Sequence, residues 1–418
     1  MRVYKFGGAS VKDAAGVRNV ANIIRSFSGK LVVVISAMGK TTNALEELTH
    51  FYFTEDKQGV QTKINEVRNY HLALIAGLSE DKSALINLEI GELFGALSLR
   101  LSARPSLDYD FEYDQIVSLG EILSTKIVSA YLNQEGIKNA WLDIRHVMRT
   151  DSTWREANVN WVLSSELVKK QVDFNQQKIY LTQGFIGATL SAQTTTFGRE
   201  GSDYTAAILA NMLDAERVTV WKDVPGIMNA DPNRFEQTQK LDTLSYREAA
   251  EMTYYGAKVI HPKTMKPLVE KNIPLYVQSF LDPEVEGSVI CKIDHVMNYV
   301  PVFISKDNLV LVTISPLDFS FIAEESISDF YRLLSTTRMK VDLVQQSAMN
   351  FSVALERPEK GFDDFIAQLK NHFIVRYNEG LELLTIRYYT DEVIASMTKD
   401  RVVYVSQRTR TAARFLMR

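Results

Sequence analysis

Leu31-Val32-Val33-Val34-Ile35 is an unbroken aliphatic run with no polar position to turn toward water. This is the pattern of a strand buried on both faces inside a parallel sheet. It breaks at Ser36-Ala37-Met38-Gly39-Lys40-Thr41-Thr42-Asn43, a small and polar loop. Upstream, Arg2-Val3-Tyr4-Lys5-Phe6 reads as a strand that runs straight into Gly7-Gly8-Ala9-Ser10. Downstream, the patterning predicts helices over 46–59, 61–76, 82–101, 127–135 and 202–213, and strands over 140–143, 178–183 and 216–221. Strands alternating with helices, with loops after the strands, argue for an α/β sandwich. Such folds take ligands at the carboxyl ends of their strands.

Composition shifts near Asp282-Pro283-Glu284-Val285-Glu286-Gly287. Beyond it the elements shorten, with strands expected over 309–314, 340–345, 350–355 and 373–377 and helices over 325–335 and 362–369. That β-α-β-β-α-β order is a ferredoxin-like module. Residues 382–388, 391–397, 401–405 and 409–416 read as a shorter, incomplete second unit. Its apolar faces need a neighbour, either the first unit or another subunit.

The 418 residues suffice for two or three domains with sizeable cores. A formal charge of -4 gives no general attraction to nucleic acid or to an anionic membrane. Cys291 is the only cysteine, so an intrachain disulfide and a cysteine-built metal site are both excluded. The most apolar run, 31–38, is too short to span a bilayer, and the opening residues lack the long apolar stretch of a signal peptide. The cytoplasm is the expected location.

Four loops hold residues suited to anions or to a nucleotide. In Lys5-Phe6-Gly7-Gly8-Ala9-Ser10 the paired glycines let backbone N–H groups approach a phosphate, although the order is not that of a Walker loop. Thr194-Thr195-Thr196-Phe197-Gly198-Arg199-Glu200-Gly201-Ser202-Asp203 stands before a small-residue helix. Arg199 there is either a bidentate carboxylate clamp or a solvated charge, and Asp203 either an active-site acid or a first-turn dipole partner. Trp221-Lys222-Asp223-Val224-Pro225-Gly226-Ile227-Met228-Asn229-Ala230-Asp231 either borders a nucleotide or is a surface turn with Trp221 in the core. In Gly256-Ala257-Lys258-Val259-Ile260-His261-Pro262, Lys258 has the reach for phosphate, while His261 reads as a turn histidine. Glu121, in Ser118-Leu119-Gly120-Glu121, is either helix-start electrostatics or an acceptor for a substrate ammonium. Together with Thr42 and Arg199 it suits a small zwitterion carrying one more acid group. No His/Asp/Glu spacing resembles a closed zinc site, whereas phosphates with Mg²⁺ need only one or two carboxylates.

These motifs, in this order across residues 1–290, resemble aspartate kinase, of the amino acid kinase fold, and the remainder is similar to the ACT regulatory region of that family. The resemblance implies a three-layer αβα catalytic domain over 1–290, a first ACT-like domain over 291–380 and a short or incomplete second unit over 381–418. It implies phosphoryl transfer from MgATP to the side-chain carboxylate of L-aspartate, the first step toward lysine, threonine and methionine. Carried over by residue, Lys5, Asp203 and Arg199 form the catalytic set. Thr42, Glu121, Phe185, Arg199 and Ser202 match substrate positions. Lys5, Gly7, Gly8, Ser10, Lys222, Asp223, Met228, Asp231 and Lys258 match nucleotide positions. No separate metal site is implied: Mg²⁺ is held mainly by ATP phosphates, with Asp203 as an additional ligand. Lysine or threonine is the implied effector, and a homodimer through the C-terminal sheets the implied assembly. The nearest alternatives are a glutamate-type amino acid kinase and a non-catalytic amino-acid-binding regulator on the same scaffold.

The chain also departs from the family pattern. Ala9 stands where threonine is frequent, Lys222 where threonine is common and Asn233 where arginine is common, with Arg234 displaced by one residue. Glu200 replaces a usual glycine or asparagine, and Gly201 after it suggests that the Glu200 side chain points outward. The loop 315–321 lacks the glycine expected of an effector loop.

Overall fold

The computed structural model describes residues 1–78, 84–257, 260–294, 300–318, 320–337, 339–358 and 361–418. The chain divides into two compact units, one made of Met1–Ile227, Lys240–Ala250 and Val259–Asp294, the other of Met228–Gln239, Glu251–Lys258 and His295–Arg418.

The first unit is built on an eight-stranded sheet. Its strands are β1 (Arg2–Phe6), β2 (Leu31–Ile35), β3 (Ala140–Leu142), β4 (Ile179–Gln183), β7 (Arg217–Lys222), β8 (Thr243–Ser245), β9 (Leu275–Ser279) and β10 (Ser288–Cys291). A hairpin of β5 (Ile186–Ala188) and β6 (Thr194–Thr196) stands apart from it. The sheet order is β8-β10-β9-β7-β1-β2-β4-β3, parallel throughout except for the β9–β10 pair. All five residues of β2 are buried, as an aliphatic run at the centre of a parallel sheet requires.

Register decides where ligands can bind. Phe6 pairs with both Ile35 and Trp221, and Ile35 with Gln183, so four strands end at one level. The loops beginning at Gly7, Ser36, Gly184 and Asp223 therefore open on the same edge. Helices α1 (Ala14–Arg25), α2 (Thr41–Phe53), α3 (Lys57–Leu78), α4 (Ala84–Ser102), α5 (Tyr109–Val117), α6 (Leu119–Gln134), α7 (Trp161–Gln171), α8 (Gly201–Met212) and α9 (Pro262–Lys271) belong to this unit. Side-chain caps start several of them: Asp13 accepts from Gly16 N–H, Asp108 from Phe111 N–H and Asn160 from Leu163 N–H. Every residue of α8 is buried, which its small side chains permit beside the sheet. Trp221 is core: its ring stacks on Phe6 with centroids 5.9 Å apart.

The second unit is a six-stranded antiparallel sheet, β11 (Val302–Ser315), β12 (Val341–Gln346), β13 (Phe351–Glu356), β14 (Ile374–Arg387), β15 (Val403–Arg408) and β16 (Ala412–Met417), in the order β12-β13-β11-β14-β16-β15. The separate strands expected over 373–377 and 382–388 are one strand of 14 residues, and the strand expected from 309 begins at Val302. Both strands bend instead of stopping, because their register shifts beside Asn308 (φ 58°) and Gly380 (φ 68°), two left-handed residues. Helices α10 (Glu324–Thr337) and α11 (Phe362–Lys370) cover one half around Phe330, Phe351 and Phe365. The other half has the single helix α12 (Asp391–Met397). Alternation along β11 sends Val310, Val312 and Ile314 to the helix side, and Leu309 and Leu311 to a second cluster with Leu381 and Leu416. The sheet curls until its outer strands meet: Gln407 Nε2 donates to Val344 O at 2.6 Å, and the Arg414 guanidinium to Asp342 O at 2.6 Å. No helix among the described residues is long and apolar enough to cross a membrane.

Candidate active site

The edge shared by the four strand ends collects most of the residues singled out in the sequence. Lys5, one residue before the end of β1, places Nζ 2.6 Å from Asp203 Oδ1, with both side chains largely buried. The second glycine after β1 is required by close approach. A Cβ on Gly8 would stand 2.6 Å from Ala37 O and 2.9 Å from Gly39 O. The loops after β1 and β2 are tied together there, since Gly39 N–H donates to Gly8 O at 3.0 Å. Ser10 closes the turn, its hydroxyl and its N–H both donating to Gly7 O.

Glu121, in the first turn of α6, is 2% exposed. Its Oε1 accepts from Ala37 N–H at 3.3 Å, and its Oε2 is buried with no hydrogen-bond partner. Burial pushes its carboxyl up to about 8, against the opposing pull of the Ala37 N–H and the Lys5 charge. A buried carboxylate with one oxygen unused is suited to a cationic ligand. Thr42 is half-buried at the second position of α2, beside Thr41, whose buried hydroxyl also lacks a partner.

Phe185 and Ser202 meet at a tight crossing. A Cβ on Gly184 would come 2.5 Å from the Ser202 side chain, and Phe185 itself is left-handed at φ 70°. Phe185 N–H donates to Thr205 Oγ1 at 3.0 Å, and Phe185 O accepts from Phe197 N–H at 2.9 Å. Arg199 is exposed and makes no hydrogen bond or ion pair with the described residues, so its guanidinium is available to a ligand.

Glu200 is not directed outward. It is left-handed (φ 55°), and its carboxylate accepts from His261 N–H at 2.7 Å, because the start of α9 packs against this loop. His261 caps α9 by accepting from Lys263 N–H at 3.2 Å, as a turn histidine does, and the Lys263 ammonium donates to Phe197 O at 3.3 Å. These tethers between α9 and the Phe197–Glu200 loop have no local signal in the sequence.

The nucleotide-side residues are spread more widely. Lys222 ends β7 half-buried, and Asp223 is exposed after it. Met228 and Asp231 belong to the second unit, where Asp231 Oδ1 accepts from the N–H and side-chain amide of Asn233 at 2.9 and 3.0 Å. Arg234, one residue from the family's arginine position, is engaged by Asp307 at 2.8 Å and Glu382 at 3.1 Å within that unit. Lys258 lies outside the described residues.

A parallel sheet with a lysine–aspartate pair, glycine-crowded loops and a buried, half-used carboxylate at one edge defines a small-acid phosphotransferase site. The chain belongs to the amino acid kinase family, whose model matches residues 1–279. It is aspartokinase-like within that family: it is 32% identical to the lysine-sensitive aspartokinase 3 of Escherichia coli strain K12, over 85% of this chain and 78% of that protein. The crystal structure of E. coli aspartokinase III with lysine and aspartate, in the T-state, matches with a TM-score of 0.86 at 29% identity over 100% of this chain and 95% of that one. The R-state structure with aspartate and ADP matches with a TM-score of 0.83 at 28% identity, over 100% and 96%.

Proposed function

We propose that the chain transfers the terminal phosphoryl group of ATP to the side-chain carboxylate of L-aspartate, giving 4-phospho-L-aspartate and ADP. The observation that carries this reading is Glu121, a buried carboxylate with an unpartnered oxygen, in the field of the Lys5 charge. Glu121 takes the substrate ammonium and Arg199 the α-carboxylate, with Thr42, Phe185 and Ser202 around the backbone of the substrate. The side-chain carboxylate is then left toward Lys5.

That carboxylate is already a nucleophile at neutral pH, so the reaction needs no general base. One of its oxygens forms the new bond to phosphorus while the bond to the ADP oxygen breaks. Lys5 neutralises charge on the transferring oxygens, and Asp203 holds the Lys5 ammonium in place. Gly7, Gly8 and Ser10 shape the phosphate cradle, and Lys222, Asp223, Met228, Asp231 and Lys258 serve the nucleotide. No cluster of three metal-ligating side chains occurs among the described residues. The buried Asp203 carboxylate, whose Oδ1 accepts no hydrogen bond beyond its ion pair with Lys5, suits a Mg²⁺ ion held chiefly by the nucleotide phosphates, with Asp203 as the protein ligand. When bound, the ion offsets phosphate charge.

The ACT-like regions, 291–380 and 381–418, are assigned to amino-acid effector binding, with lysine or threonine as effector, and to homodimer formation in the cytoplasm. An ADP-release assay with aspartate, glutamate and acetylglutamate in parallel, repeated with lysine or threonine added, tests these assignments. Turnover with aspartate alone is expected. Preference for another acid, or aspartate binding without turnover, would overturn the reading, and a flat effector titration would leave the C-terminal unit an assembly role.

A further inference from the structure

Asp114, on α5, is fully buried, yet its carboxylate faces only donors. Oδ1 accepts from the Thr196 hydroxyl at 2.7 Å, and Oδ2 from Thr196 N–H at 3.0 Å. The Arg155 N–H donates to both oxygens, at 3.2 and 3.1 Å. Thr196 ends β6, three residues before Arg199. Arg155 is left-handed (φ 65°), and its carbonyl borders the turn at Gly198 (φ 72°), where a Cβ would stand 3.0 Å from it. One carboxylate thus holds both sides of the turn that leads to Arg199.

We propose that Asp114 is a positioning residue for the amino-acid substrate, fixing the Thr196–Arg199 loop so that Arg199 meets the substrate α-carboxylate. The proposal rests on the aspartate reading above. The charge is what the geometry calls for. A carboxylate accepts on both oxygens, whereas an amide would turn its NH₂ toward a backbone N–H and leave one donor unsatisfied. Burial pushes the Asp114 carboxyl up to about 6, against the pull of the Thr196 and Arg155 bonds and the Arg155 charge. The ionised form is therefore expensive to keep, and the donors of Thr196 and Arg155 are what offset that cost.

The test uses the full chain and compares Asp114→Asn, Thr196→Val and Thr196→Ser, measuring KM for aspartate and for ATP together with thermal melting. Asp114→Asn is expected to raise KM for aspartate by at least about tenfold with KM for ATP within about twofold, since a small displacement of a clamp is felt by the group it clamps. Thr196→Val, which keeps the backbone bond and loses the hydroxyl, is expected to shift in the same direction. Thr196→Ser, which keeps both, is expected to match the parent. If Asp114→Asn does not fold, the threonine pair decides. Equal rises in both KM values, or an unchanged KM for aspartate, would overturn the proposal while leaving the aspartate reading intact. A parent chain that releases no ADP with aspartate would overturn both.

Discussion

Replacing Glu121 by Gln separates a substrate-binding carboxylate from a structural one, because the two roles predict opposite signs. Burial holds this carboxyl at about 8, against an ordinary 4.5. Below pH 4.5 it is neutral in the folded and the unfolded chain. Between 4.5 and 8 the unfolded chain ionises and the fold does not, so the stability contributed by the neutral form is lost as pH rises through that window. By pH 7 about two and a half units have been crossed, at about 1.4 kcal/mol each, so the neutral amide relieves up to about 3.5 kcal/mol. At pH 5 only about half a unit has been crossed, and the advantage falls below about 1 kcal/mol.

Glu121→Gln is therefore expected to melt higher than the parent at pH 7 and nearly level with it at pH 5. In the same variant the substrate ammonium loses a charged acceptor, worth about 2–3 kcal/mol, or a rise in KM for aspartate of about 30- to 150-fold. The parent should show a further signature. Binding draws on the ionised fraction, so KM for aspartate should fall about tenfold per pH unit between 6 and 7 and flatten above 8. Glu121→Gln should lose that slope. Thermal melts at the two pH values, with steady-state kinetics at saturating ATP, read all three quantities. A variant that melts lower at pH 7 and keeps its KM would refute the reasoning, since Glu121 would then be a strut.

Lys5→Met removes one donor to the transferring phosphoryl and should lower kcat by about 10²–10³, roughly 3–4 kcal/mol, with KM for aspartate little changed; steady-state kinetics that show a raised KM with kcat retained would place Lys5 in binding. Arg199→Lys keeps the charge and loses the planar fork, so KM for aspartate should rise by about tenfold or more with kcat nearly retained; kinetics with aspartate varied give the answer. Gly8→Ala drives a Cβ against Ala37 O and Gly39 O, and should cost about 1–3 kcal/mol, seen as a lower melting temperature.

Much of the catalytic sheet was legible locally. Leu31–Ile35 announces a buried strand and the glycines after Phe6 a phosphate-suited turn, each within a few residues. The C-terminal unit was legible in its order of elements and less so in their lengths, because one left-handed residue bends a strand without ending it, and Asn308 carries no mark of doing so. Glu200 misled for a similar reason. Its neighbour Gly201 indicates a turn, but the partner that draws the carboxylate inward is His261, 61 residues away.

The sequence by itself determined the alternation of strands and helices, the loops at the strand ends and the residue types available for phosphate and carboxylate binding, since these follow from short-range periodicity and turn chemistry. Only the tertiary structure decided which of those groups carry a cost. In the chain Glu121 fits helix-start electrostatics as well as it fits a substrate ammonium, and Asp114 carries no local signal at all. Packing withdraws both from water, leaves one with an unused oxygen and surrounds the other with donors. Desolvation is a property of everything that surrounds a side chain, and no stretch of sequence contains those surroundings.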